Sequence, residues 1–124
     1  MSKQAVHSDA APAALGPYSQ AIISGGLVFC SGQTGLDTAG NLAEGLAAQT
    51  EQCLQNLSAV LAAAGSSLEK AVKCTVFLTD MNDFATVNGI YDKYFPAPYP
   101  ARSCVQVCAL PKGGLVEIEA IAAL

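Results

Sequence analysis

The only arginine of this 124-residue chain, Arg102, lies within an apolar, strand-like run, Pro100-Ala-Arg-Ser-Cys-Val-Gln-Val-Cys108. A planar, permanently charged fork is costly to place among Val and Cys side chains unless a planar anion meets it. A second such run, Leu115-Val-Glu-Ile-Glu-Ala-Ile-Ala122, carries two carboxylates in a similar setting. On strands, Arg102, Cys104, Gln106 and Cys108 point one way, and Ser103, Val105 and Val107 the other. Glu117 and Glu119 share one face, opposite Val116, Ile118 and Ala120. Two readings fit this spacing. Arg102 clamps a ligand carboxylate while a glutamate handles a proton or a water, or the arginine and a glutamate form a structural ion pair at a subunit interface.

Other residues could join such a site, and each has a plainer reading. Tyr18, in Gly16-Pro-Tyr-Ser-Gln20, can offer a phenol to a pocket or sit as a rim tyrosine. Ser31-Gly32-Gln33 can present backbone N–H groups to an anion or form an ordinary turn after a strand. Asn88 borders the apolar stripe of a helix, where a solvated position is the ordinary fate. A nucleophilic role for Cys104 needs a base or a depressed pKa. The sole histidine, His7, lies in the N-terminal stretch, so a buried strand thiol is the simpler reading. No Ser/His/Asp set, phosphate loop or dinucleotide fingerprint is present.

The whole chain, residues 1–124, reads as one domain, with residues 1–15 as a tail and entry loop. Charged residues make up 13% and hydrophobic ones 52%. So little charge cannot cover a lone small globule without leaving apolar patches, which points to association of identical subunits, the plainer alternative being an alanine-rich monomer. The net charge of −4 and five scattered lysines speak against a nucleic-acid surface. The opening residues lack the apolar core of a secretion signal, and no run of about 20 apolar residues offers a membrane span. The five cysteines are irregularly spaced with no Cys-x-x-Cys. Cys104 and Cys108 stand about 13 Å apart on a strand, too far for one disulfide or one metal. No metal site or cofactor is expected. Reduced thiols fit a cytoplasmic compartment, with the mitochondrial matrix left open.

The positioning elements follow from periodicity. Tyr18–Ser24 and Leu27–Ser31 read as strands joined by a Gly25-Gly26 hairpin turn. Residues 31–40 form a glycine-rich loop. Leu46, Thr50, Cys53, Leu54, Leu57, Val60, Leu61 and Ala64 fall on one helical stripe, with Gly65 as its stop. Ala71–Thr79 is a strand with Val72, Cys74, Val76 and Leu78 on one face. A second helix, capped by Asp80 or Asn82, runs to Phe95 with the stripe Phe84, Val87, Tyr91, Tyr94. Prolines 96, 98 and 100 lead into the Arg102 strand, and Lys112-Gly-Gly114 turns into the last one. The order β-β-α-β-α-β-β gives an α+β layer fold, one mixed sheet with two helices on one face. The other face needs a cover.

Taken together, Gly16-Pro-Tyr-Ser-Gln20, Ser31-Gly-Gln33, Val76-Phe-Leu-Thr-Asp-Met-Asn-Asp-Phe84, Ala85-Thr-Val-Asn88, Pro100-Ala-Arg-Ser-Cys-Val105 and Leu110-Pro-Lys with Glu117-Ile-Glu-Ala-Ile121 resemble the RidA/YjgF family of enamine/imine deaminases. The resemblance implies a chorismate-mutase-like fold, a homotrimer with clefts between subunits, and hydrolysis of reactive 2-imino acids such as 2-iminopropanoate and 2-iminobutanoate. These arise from pyridoxal-phosphate-dependent dehydratases, and their removal spares pyridoxal-phosphate enzymes. It implies that Arg102 holds the substrate carboxylate with the backbone N–H of Cys104, and that Glu117 positions the attacking water. Tyr18, Gly32 and Asn88 line the cleft, some from a neighbouring subunit. Two departures border that cleft: a shorter Pro96-Ala-Pro-Tyr-Pro100 stretch, and no proline after Gln33. The resemblance therefore carries reaction type further than substrate size. Other readings are a non-catalytic 2-oxo-acid binder or sensor, a translation-inhibiting ribonuclease, and a holdase chaperone.

Overall fold

The computed structural model describes residues 2–124. Eight elements follow one another: β1 (Gln4–Val6), β2 (Ala21–Ser24), β3 (Leu27–Thr34), α1 (Leu46–Ala63), β4 (Ala71–Leu78), α2 (Phe84–Tyr94), β5 (Ala101–Gln106) and β6 (Val116–Ala123). The strands form one mixed sheet in the order β1-β2-β3-β6-β4-β5. Only β4 and β5 are parallel, as they must be when α2 carries the chain across between them. The expected α+β architecture, with two helices on one sheet face, is what forms. It gains one strand: Gln4–Val6, in the stretch read as a tail, pairs antiparallel with Ala21–Ile23.

Gly25 and Gly26 both have positive φ, 61° and 80°, and close the β2–β3 hairpin with Ser24 opposite Leu27. That is the two-residue turn whose twist suits a hairpin, and it favours glycine at both positions. The α1 stripe is buried as its spacing requires, with Cys53, Leu54, Leu57, Val60 and Leu61 fully covered. They pack on Val28, Cys30, Cys74, Val76, Leu78, Val116, Ile118 and Ala120 of the sheet. Asp80 caps as one of the two expected candidates, its carboxylate accepting the Asn82 N–H at 2.9 Å. It does so on the short turn Met81–Asp83 that leads into α2.

Two details differ from periodicity. Val72 does not join the buried face of β4 but stays 47% exposed. The pairing of β4 with β6 shifts between Ala71 and Lys73, and an irregularity of this kind reverses the faces on one side of it. In β3 the strand continues past Ser31 to Thr34, with a second shift between Cys30 and Gln33.

The core makes a direct prediction. Leu57→Ala should lower unfolding stability by about 3 kcal/mol, and Gly26→Val by about 1–2 kcal/mol because of its left-handed backbone. Urea titration followed by circular dichroism measures both. A Leu57→Ala protein as stable as the parent would contradict the packing described.

Candidate active site

Arg102 lies on edge strand β5, directly opposite Cys74 of β4. Because Cys74 is buried beneath the helices, Arg102 points to the helix-covered side, at the rim where α2 ends its cover. One guanidinium nitrogen donates to Asn88 Oδ1 at 2.7 Å. The fork lies over the rings of Tyr91 and Phe84, 4.8 and 5.5 Å from their centres. Such stacking favours a guanidinium and fixes its plane. Among the described residues the ion pairs are His7–Asp9 and Lys93–Glu51, so no carboxylate neutralises Arg102. An ion pair with a glutamate of the same chain is therefore excluded as its explanation. The half-buried fork borders a depression of about 590 Å³ lined also by Asn88, Gly89, Tyr91, Asp92, Tyr99 and Pro100, in which the Asp92 carboxylate accepts the Tyr99 hydroxyl at 2.5 Å rather than pairing with Arg102.

Cys104 follows on the same face, opposite Val76. Burial pushes its thiol pKa up, and the nearby Arg102 charge offsets this only in part. Cys104 is thus a neutral packing thiol rather than a thiolate.

Glu117 occupies the other side of the sheet. It pairs with Phe77 of β4 and with Thr34 of β3, while its neighbours Val116 and Ile118 face the helices. Its carboxyl pKa is raised, first by burial and then by the charge of Glu119. Gly32, within the β3 irregularity, lies against it: a Cβ at Gly32 would come within 2.5 Å of Glu117 Oε2. The missing side chain is what lets the carboxylate sit there. Tyr18 is exposed and shares with Gly32 a cavity of about 360 Å³, walled also by Leu15, Leu36, Pro111 and Lys112.

Sequence reasoning gave no role to Gln20. Its buried amide accepts the Ser8 N–H at 2.7 Å and donates to Pro12 O at 2.8 Å, tying the N-terminal segment down. Beside it, Ser31 Oγ donates to Ser19 O at 2.7 Å. These bonds set Tyr18 next to Gly32. The available signal was a glutamine at the entry to a strand whose next residues, Ala21-Ile-Ile23, are apolar.

The structure therefore assembles two groups, not one. Gly32 lies against Glu117 of the open face and shares a cavity with Tyr18; Arg102, Asn88 and Cys104 gather at the helix-covered rim. Within a single chain the groups are separated by the sheet itself. Among the described residues no cluster of three or more His, Cys, Asp or Glu could hold a metal ion.

An unpaired, ring-backed guanidinium and a carboxylate of raised pKa are the parts of a site for a small carboxylic acid that undergoes proton-assisted chemistry. Residues 8–124 match the family model described as Endoribonuclease L-PSP. The chain is 53% identical over 114 residues, 90% of its length and 83% of the other, to a protein of Bos taurus named 2-iminobutanoate/2-iminopropanoate deaminase. It is 52% identical to the chloroplastic Reactive Intermediate Deaminase A of Arabidopsis thaliana, over 98% of this chain and 66% of that one. The crystal structure of RidA from the Antarctic bacterium Psychrobacter superposes with a TM-score of 0.95, at 50% identity, covering 98% of this chain and 99% of that one. The chain belongs to this family, the RidA/YjgF group that its motifs resemble.

Gly32→Ala should leave the fold intact and push the Glu117 carboxylate aside. A crystal structure of the variant will show the displaced side chain, and a carboxylate left in place would refute the contact.

Proposed function

We propose that Arg102, Asn88 and Cys104 of one subunit and Tyr18, Gly32 and Glu117 of a neighbour form one cleft for a 2-imino acid. The protein is an enamine/imine deaminase, acting on small substrates such as 2-iminopropanoate and 2-iminobutanoate. The observation that carries this reading is Arg102: a guanidinium aligned by Asn88 and two rings, with donors left for a planar anion.

The chemistry needs little beyond placement. An imine carbon next to a carboxylate is already electrophilic. Arg102 fixes the carboxylate and so the position of that carbon. Glu117 holds a water and takes its proton as the oxygen bonds to carbon. With the imine nitrogen protonated, the C=N π pair moves onto nitrogen to give a neutral aminol. Glu117 passes the water proton to that nitrogen, takes the proton of the aminol hydroxyl as the carbonyl forms, and the C–N bond breaks to give a 2-oxo acid and ammonia. A carboxylate pKa raised by burial suits a group that accepts and then returns a proton. No metal or cofactor is called on in this sequence of steps.

Because Arg102 and Glu117 lie on opposite sheet faces, the reading requires a second copy. The open face, with Phe29 and Val105 each more than 40% exposed, supports a closed assembly. We take it to be a homotrimer with three inter-subunit clefts, working in the cytoplasm. The net charge of −4 and the scattered lysines speak against a nuclease acting on a polyanionic substrate. No helix among the described residues is long and apolar enough to cross a membrane.

Arg102→Ala should abolish detectable deamination while leaving the assembly unchanged by light scattering. Coupling the protein to a threonine dehydratase and trapping residual imine with semicarbazide measures this; an active variant refutes the clamp. Glu117→Ala should lose roughly 100-fold or more in rate while still binding a 2-oxo acid by calorimetry. The same assay separates an enzyme from a mere 2-oxo-acid binder. Since the Glu117 pKa is raised, activity should fall with decreasing pH through a value above the usual 4.5. Glu119→Gln removes a neighbouring charge, so that acid limb should move to lower pH.

A further inference from the structure

The buried face of α1 is not uniformly apolar. Gln49, Cys53 and Asn56, at four- and three-residue steps, are 3%, 0% and 1% exposed. Burying two primary amides is costly unless each finds partners, and here the partners are backbone groups and, for the Asn56 oxygen, the Gln52 side chain. Asn56 Nδ2 donates to Thr34 O at 3.2 Å and to Leu36 O at 2.8 Å, and its Oδ1 accepts from Gln52 at 2.9 Å. Cys53 Sγ lies 2.9 Å from Gln33 O. Gln49 donates to Ala43 O at 3.1 Å and accepts the Leu115 N–H at 2.8 Å. The loop packs so closely that a Cβ at Gly35 would stand 2.6 Å from the Gln49 Cα.

The backbone groups held by this stripe belong to two segments. One runs from Gln33 to Leu36 and begins next to Gly32; the other starts at Leu115, two residues before Glu117. The same two segments meet where Thr34 pairs with Glu117. Beyond the β3 irregularity, the carbonyls of Thr34 and Leu36 turn toward α1 and are met by Asn56. Leucine at position 56 would satisfy packing but take the amide donor away from both carbonyls.

We infer that Asn56, aided by Gln49, is a positioning residue: through the backbone at 33–36 and 115 it sets where Gly32 lies against the Glu117 carboxylate. This rests on the deaminase reading for its consequence in rate, but not for its consequence in geometry. The charge of Glu117 is also felt at Cys53, whose thiol pKa is raised first by burial and then by that carboxylate. Cys53 Sγ also lies 3.7 Å from the carbonyl oxygen of Val116, the residue before Glu117.

The test compares three full-length variants. Asn56→Leu removes the donors at similar volume, and Gln49→Met does the same at the other end should Asn56→Leu fail to fold. Leu57→Ala destabilises the same helix face without touching the clamp. For 2-iminopropanoate, Asn56→Leu or Gln49→Met should lower kcat at least about tenfold, with KM changed no more than about twofold. Leu57→Ala should leave both near the parent value below its unfolding temperature. In parallel, ¹³C NMR titration of Glu117 follows the carboxylate directly. Its titratable neighbours are Glu119 and Cys53, so a shifted midpoint in Asn56→Leu reports a moved carboxylate. An unmoved Glu117 titration overturns the inference whatever happens to kcat, and so does a kcat loss no greater than that of Leu57→Ala. If the parent protein lacks deaminase activity, the functional reading fails, and the titration alone decides the positioning role.

Discussion

Everything about this site turns on the alternation of side chains across a pleated sheet. Arg102 stands opposite Cys74 and so faces the helices; Glu117 stands opposite Phe77 and so faces away. One strand, β4, separates them, but no rotamer carries either side chain through the sheet. The guanidinium is nevertheless prepared for an anion, held by Asn88 and backed by two rings, with no carboxylate paired to it among the described residues. A subunit that builds both halves of a reaction centre on opposite faces has a use for them only where copies meet. The proposed inter-subunit cleft follows from that constraint.

The same constraint explains the distribution of polarity. A chain with 13% charged residues leaves one sheet face without helices and with Phe29 and Val105 exposed, a surface suited to association. Polar groups buried on the helix side are instead few, and among the fully buried side-chain oxygens and nitrogens of the described residues only the Tyr91 hydroxyl lacks a partner. Gln20 fastens the N-terminal segment near Tyr18, while Gln49 and Asn56 hold the loops behind Gly32 and Glu117. Each substitutes side-chain amides for the strand partners that irregular backbone lacks.

Electrostatics divides the two half-sites in the same way. Cys104 beside Arg102 stays a neutral thiol because burial outweighs the neighbouring cation. Glu117 is pushed toward protonation by burial and by Glu119. One half of the site therefore offers a fixed positive charge, and the other a carboxylate poised to exchange a proton. That pairing suits addition of water to an imine, where the substrate supplies the electrophile and the protein supplies position.

By itself, the amino-acid sequence determined the elements and their order. The α1 stripe, the Gly25-Gly26 turn and the alternation in β5 and β6 are local periodicities, and local backbone geometry obeys them. It also singled out Arg102, because one guanidinium in an apolar strand is anomalous whatever the fold. Tertiary structure decided what local pattern cannot encode. A three-residue strand at Gln4–Val6 is too short to show a period and exists only because β2 offers an edge. The shifts near Val72 and Gly32 reverse faces through cross-strand pairing, which no window along one strand contains. The use of Gln49 and Asn56 depends on carbonyls brought by distant loops. Whether Arg102 and Glu117 share a face was likewise not written in either strand, since that relation is fixed only by the register each adopts against β4.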